Sequence, residues 1–200
     1  ISFEEAAEMA HFGAKVLHPM TIEPAVKKNI PIYVLNSMNP SGKGTAILQS
    51  SFIEDGVKSV SSKSNILVIN IFSTKMINVA GFLMHVFEIF SRNNVSVDLI
   101  STSEATISVT VDSGSQIIEK VVEQLSTFAE VVVDSNKGQV SVIGKNLDNV
   151  NGLLEKTFAP LKDYKIYMIS QGSSYINISF VVDRESLDNI VSLIHRNIFG

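Results

Sequence analysis

The sequence predicts an α+β chain of two ferredoxin-like β-α-β-β-α-β units, the first inserted within the second. Three observations carry this. The order strand-helix-strand-strand-helix-strand runs once from residue 66 to residue 133 and begins again at residue 139. The two copies share local text, Val97-Asp98-Leu99-Ile100-Ser101 answering Ile166-Tyr167-Met168-Ile169-Ser170, as expected of an internal duplication. The second copy reaches Gly200 without a fourth strand, and a half-built sheet leaves unpaired backbone at its edge. Val57 to Ser61, just ahead of the first copy, is the segment expected to fill that place.

In the first unit, Ile66 to Phe72 reads as a strand. Phe82 to Asn93 reads as a helix, with Phe82, Leu83, Val86, Phe87 and Phe90 at the 3.6-residue period. Val95 to Ser101 and Thr106 to Val111 are the next strands. A second helix is striped by Ile117, Ile118, Val121, Val122, Leu125 and Phe128, and Glu130 to Val133 closes the unit. In the second, Gln139 to Ile143 is a strand and Val150, Leu153, Leu154, Phe158 and Leu161 stripe a helix. Lys165 to Ser170 and Asn177 to Val182 are strands, and Leu187, Ile190, Val191, Ile194 and Ile198 mark the last helix. The expected divisions are 1–50, 62–135 for the first unit, and 51–61 plus 136–200 for the second.

Ahead of the repeats, Ser2 with Glu5 three residues on is a capping box that opens a helix, and Gly13 is its expected stop. Val16 and Leu17 read as a short extended piece. Thr21 to Lys28 reads as a helix with Pro24 in its first turn, where a missing donor costs little. Ile30 to Leu35 is strand-like, and Asn36 to Gly44 is a polar, turn-rich loop. The opening Ile1-Ser2-Phe3, without an initiator Met, is read as a fragment of a longer protein.

Hydrophobic residues make up 45% of the 200 and charged residues 18%, which argues against disorder. The formal charge of -4, with scattered basic residues, gives no footing for nucleic acid. Without cysteine there is no disulfide and no thiolate metal site, which fits a reducing compartment; the expected location is the cytoplasm. No apolar run reaches the ~20 residues of a membrane helix. Gly42-Lys43 imitates the end of a phosphate loop, but Ser37 stands where its first glycine belongs and Gly44 where its hydroxyl belongs. His11, His18, His85 and His195 lack metal-site spacing and read as ordinary surface or core residues, so no metal site is expected. There is no Gly-x-Ser-x-Gly elbow, and the central strands lack the aromatics of RNA-binding ferredoxin-like units.

The turn into the first unit's helix, Asn78-Val79-Ala80-Gly81-Phe82-Leu83, presents free amides at the positive end of a helix dipole, a point receptive to a carboxylate. Gly81 permits close backbone approach, although a lone glycine is more often a turn residue. Asp98 sits between apolar neighbours, and alternation groups it with Ser96 and Ile100, opposite Val97 and Leu99. Glu104 lies in the turn Ser101-Thr102-Ser103-Glu104. A carboxylate on a strand needs a cation if it is buried, and an amino acid with a side-chain ammonium would supply one. On pattern alone, two solvated edge acids are the commoner case.

The text Gly81-Phe82-Leu83, Val86-Phe87 and Val95 through Asp112 resembles the first ACT module of lysine-sensitive aspartate kinases. Met168 to Ser174 and Asn177 to Phe180 are similar to the second module. Glu4 to Ala10 and Phe12 to Pro19 resemble the end of the kinase lobe, an α/β amino-acid-kinase fold. The resemblance implies a remnant of that lobe over 1–50, followed by two ACT domains.

It further implies an effector site in which Met76 and Val79 form a wall and the Phe82 and Leu83 amides, beside Gly81, hold an α-carboxylate. Ser96, Val97 and Asp98 would line the strand side, and Thr102, Ser103 and Glu104 would close the turn, the two acids taking ammonium groups. Val79 stands where the family often has a small polar residue. Lys15 and Val16 match the family's last ATP contacts. The implied effector is L-lysine, with threonine or another amino acid as the alternative, or a dimerisation module without ligand. The implied parent uses ATP and magnesium to phosphorylate aspartate, as a homodimer paired through first modules. Catalytic residues are not expected in this stretch, because the family's phosphate-gripping segment is absent from it.

Overall fold

The computed structural model describes residues 1–14, 17, 19–49, 52–76, 80–113 and 117–200, with residues 19–22 described by their backbone alone. Its elements run α1 (Phe3–His11), α2 (Pro19–Lys28), β1 (Ile32–Val34), β2 (Thr45–Ile47), β3 (Gly56–Phe72), α3 (Phe82–Arg92), β4 (Ile100–Thr102) and β5 (Thr106–Asp112). They continue with α4 (Ile117–Leu125), β6 (Glu130–Lys145), α5 (Leu153–Phe158), β7 (Met168–Gln171), β8 (Asn177–Asp183) and α6 (Leu187–Phe199).

Six strands form one antiparallel sheet in the order β4-β5-β3-β6-β8-β7. Two ferredoxin-like sheets are fused in it. The second half of β3 pairs with β5 and the first half of β6, as in Ile69↔Val109 and Ile69↔Val133. The first half of β3 pairs with the end of β6: Val57↔Gly144, Val60↔Val142, Ser61↔Ser141. The segment expected to complete the second sheet therefore lies in that sheet.

The sequence separates Val57–Ser61 from Ile66–Phe72 and Glu130–Val133 from Gln139–Ile143, but each pair is one continuous strand, of 17 and 16 residues. Asn65 and Asn136 take left-handed φ values of 61° and 59°, and the β3–β6 register shifts between Ser64, Ile66 and Val68. Asparagine tolerates that conformation, so the chain bends within the ladder instead of leaving it.

Each module has one helix-covered face. Ile69, Ile71, Ile107 and Val109 pack under Val86 and Phe90 of α3 and Val121 and Leu125 of α4. Val140, Val142, Ile178 and Phe180 pack under Leu153, Ile190 and Ile194. Burying these side chains is the main stabilising term, about 1.5–3 kcal/mol for each large one. The opposite faces meet each other: Ile66, Val68 and Leu99 join Ile143, Met168 and Val181, and Met9 and Phe12 close the gap. Ser170 donates to the Ile100 carbonyl at 3.3 Å, so the two outer strands touch.

The segment that supplies Met9 begins at the capping box. The Glu5 amide donates to Ser2 Oγ at 3.0 Å and the Ser2 amide to Glu5 Oε2 at 2.6 Å. Phe3 and Ala6 pack on Ile47 of the β1–β2 ribbon. α2 starts at Pro19, so Pro24 stands inside the helix and not in its first turn; its missing N–H removes one helix bond there. The strand expected over Val95–Ser101 is regular only from Ile100 to Thr102.

Candidate functional site

Gly81 precedes α3 with φ at +91°, and a side chain there would meet nothing within 4 Å. No side chain caps the helix, and its ladder opens with the His85 amide donating to the Gly81 carbonyl at 3.1 Å. The Phe82 and Leu83 amides precede that ladder, so they are donors in the sense the sequence predicts. Phe82 is half-buried and sets its ring edge-on to Phe128 at 5.6 Å, while Leu83 is 41% exposed. Met76 ends a 3-10 turn and packs at the rim of the first core. Val79, Lys15 and Val16 lie outside the described residues.

On the strand side, alternation breaks. The Asp98 amide donates to the Thr110 carbonyl at 2.9 Å, the Thr110 amide donates to the Leu99 carbonyl at 3.0 Å, and the Leu99 amide donates to Thr110 Oγ1 at 2.9 Å. Asp98 and Leu99 thus oppose one residue, a β-bulge that re-aims the side chains. Val97 packs with the helix-side core, whereas Leu99 packs with Met9 and Phe12 on the other face. Asp98 turns to that same helix-free face.

Its carboxylate side chain is only 4% exposed and has a cationic partner at each oxygen. Lys63 Nζ lies 2.7 Å from Oδ2, and His11 Nε2 lies 3.3 Å from Oδ1. Lys63 also reaches Asp112 at 2.7 Å. Burial pushes the Asp98 carboxyl up, but the bonds to His11 and Lys63 outweigh it and hold it below the ordinary value. Burial pulls Lys63 down, yet Asp112 and Asp98 raise it overall. The bond to Asp98 raises His11 above 6.5 against its partial burial.

Sequence reasoning missed these partners. It read His11 as an ordinary histidine and did not single out Lys63, which is 35 residues from Asp98; no local pattern joins them. Gly13 makes the approach possible, because at its φ of +100° a Cβ would stand 2.1 Å from the Ser62 carbonyl.

The expected cleft, with two acids facing the start of α3, is accordingly not formed. Asp98 sits on the face opposite α3 and has the protein's own cations as partners, as burial of a carboxylate requires. Glu104 is exposed at the bend between β4 and β5. Ser96, Thr102 and Ser103 are exposed, and the Ser103 amide donates to the Thr106 carbonyl at 2.8 Å. What the structure brings together is the α3 start with Phe82, Met76 and Val97 around one core. Among the described residues, no group of three or more His, Asp or Glu could hold a metal, and no helix is long and apolar enough to cross a membrane.

The ACT domain family model matches residues 69–127 and 140–198. Chloroplastic aspartokinase 1 of Arabidopsis thaliana is 38% identical over 210 residues, covering 100% of this chain and 37% of that protein. E. coli aspartokinase III, solved with aspartate and ADP in its R-state, superposes with a TM-score of 0.91 at 35% identity, over 100% of this chain and 46% of that one. The same enzyme solved with lysine and aspartate in its T-state gives 0.83, with the same identity and coverage. The chain spans less than half the length of these relatives.

Proposed function

The chain belongs to the ACT domain family and is homologous along its whole length to the C-terminal regulatory region of aspartokinases, and from that premise we propose that it is the feedback-sensing part of an aspartate kinase, with L-lysine as effector. The parent enzyme transfers phosphate from ATP, with magnesium, to the side-chain carboxylate of aspartate. This stretch carries control, not chemistry. First modules of two chains pair, and lysine shifts a two-state arrangement that the kinase lobe senses, by no more than its differential affinity for the two states.

The observation that carries the reading is the open turn at Gly81, where uncapped amides begin α3. The α-carboxylate would take the Phe82 and Leu83 amides, with Met76, Val79, Ser96, Val97, Thr102 and Ser103 around it. The lysine-bound relative supports the choice of effector, and this chain superposes better on the R-state form than on that T-state form.

One observation favours a second reading. Both Asp98 oxygens already have cationic partners, which suits a neutral effector such as threonine that needs no acid. A melting scan of the 200-residue chain against the twenty amino acids separates the two. At ~100 times the dissociation constant a ligand stabilises by roughly 2.7 kcal/mol. A shift with lysine alone supports the first reading, a shift with threonine alone the second, and no shift with any amino acid discards both.

A further inference from the structure

We infer that Asn151-Gly152, the turn into α5, is a self-modification site of the second module. Asn151 loses its side-chain ammonia through a ring closed by the Gly152 amide, and the isoaspartyl product releases α5 from the second core. The inference involves no effector and stands apart from the regulatory reading above.

The step needs only water as co-reactant. A bond forms between the Gly152 backbone nitrogen and the side-chain carbonyl carbon of Asn151. The bond from that carbon to the side-chain nitrogen breaks, and ammonia leaves with the proton that the Gly152 amide gives up. Water then opens the succinimide ring at one of its two carbonyls. Opening at the former side-chain carbonyl gives aspartate. Opening at the backbone carbonyl gives isoaspartate, in which the main chain runs through the former side chain.

The structure leaves this turn open to the reaction. Asn151 and Gly152 are both exposed, in a turn closed by the Leu153 amide donating to the Val150 carbonyl at 3.2 Å. Among the described residues, no hydrogen bond holds the Asn151 side-chain amide, and the Gly152 amide donates to no backbone carbonyl. Gly152 has φ at +68°, and a Cβ there would meet nothing within 4 Å. Nothing therefore shields the nitrogen or resists the rotation of the peptide plane that ring closure requires.

The same chemistry is blocked elsewhere. Asn-Gly occurs at no other position of the sequence. The related pair Asp55-Gly56 has its carboxylate held by Asn146 and Asn149, and Gly56 is paired with Lys145 in the β3–β6 ladder. Asn65 and Asn136 share the left-handed backbone of turn residues, but the side chains of Ile66 and Lys137 follow them and both lie within strands.

The consequence falls on α5. The Gly152 carbonyl accepts the Lys156 amide at 2.8 Å, opening the helix ladder. Leu153, the next residue, is 4% exposed and packs in the core with Val140, Ile178 and Phe180. Isoaspartate lengthens the main chain by one carbon immediately before this anchor. The helix is six residues long and no side chain caps its start, so it is poorly equipped to absorb the change. The aspartyl product keeps the main-chain length and adds only an exposed charge.

The experiment incubates the 200-residue chain in mildly alkaline buffer, folded and in urea, beside Gly152→Ala and Asn151→Asp. Released ammonia and peptide mass spectrometry report the conversion, and the separated products are then melted. In the folded chain residue 151 should be the first asparagine to convert, giving both aspartate and isoaspartate. Gly152→Ala should slow conversion several-fold in both conditions, a comparison that survives any loss of fold in the variant. The isoaspartyl chain should melt below the unmodified chain, and Asn151→Asp with it. Asn151 intact in the folded chain while it converts in urea overturns the site. Conversion that Gly152→Ala leaves at full rate overturns the ring route. An isoaspartyl chain that melts as the unmodified one does overturns the release of α5.

Discussion

Lys63 Nζ lies 2.7 Å from Asp98 Oδ2 and 2.7 Å from Asp112 Oδ1, so one half-buried ammonium on β3 is shared by two acids of the first module. The arrangement makes Asp98 a structural partner before any ligand arrives. It also makes the pair unequal: Asp98 is enclosed, while Asp112 is largely exposed and keeps water as an alternative.

Asp98→Ala should lower stability by about 1–3 kcal/mol, the range for removing a buried hydrogen-bonded charge whose partner retains a second acceptor. Asp112→Ala should cost less than 1 kcal/mol, because exposed pairs contribute little. Urea unfolding of the two variants checks the order, and an equal loss would mean that enclosure of Asp98 does not matter.

The junction should give stability a dependence on pH at both ends. His11 has a raised folded value, so its contribution is full below 6.5 and disappears as pH climbs through that raised value. Asp98 has a lowered folded value, so its contribution is full above 3.8 and disappears as pH falls through the lowered value. Melting temperatures across this range should decline on both sides, and His11→Ala should flatten the neutral-to-alkaline decline alone.

Gly13→Ala should be among the more damaging single-methyl changes in the chain. It forces a side chain into a left-handed backbone and sets a Cβ 2.1 Å from the Ser62 carbonyl. Strain of that kind costs of order 1–3 kcal/mol before the clash is relieved. Gly81→Ala, at φ +91° with nothing nearby, carries the backbone strain without the clash. Chemical denaturation of both should show the larger loss at residue 13.

Because β3 and β6 each serve both modules, the modules should unfold together. Phe90→Ala in the first core and Phe180→Ala in the second remove side chains that are at most 2% exposed, at a cost of about 3–5 kcal/mol each. Each should lower one common melting transition. Two separated transitions in calorimetry would contradict the shared-strand account.

Much of this was legible in the residues. The Ser2–Glu5 capping box, the 3.6-residue stripes of α3, α4 and α6, and the missing fourth strand each follow from local chemistry that the fold obeys. The fusion of strands was not legible, since the strand patterns stop at Ser61 and Val133 and resume at Ile66 and Gln139, and only the ladder shows that the chain continues through Asn65 and Asn136. The surroundings of Asp98 were hidden for two further reasons. A bulge at Asp98–Leu99 defeats simple alternation, and His11 comes from a separate segment brought close by the absent side chain of Gly13. Charge pairing across 87 residues of chain leaves no trace in spacing.

The most direct test is heteronuclear NMR of the 200-residue chain titrated with L-lysine, following the Phe82 and Leu83 amides at the start of α3. The account predicts that both signals shift along one saturable binding curve. Shifts confined to the second module, or both amides unmoved at saturating lysine, would contradict it.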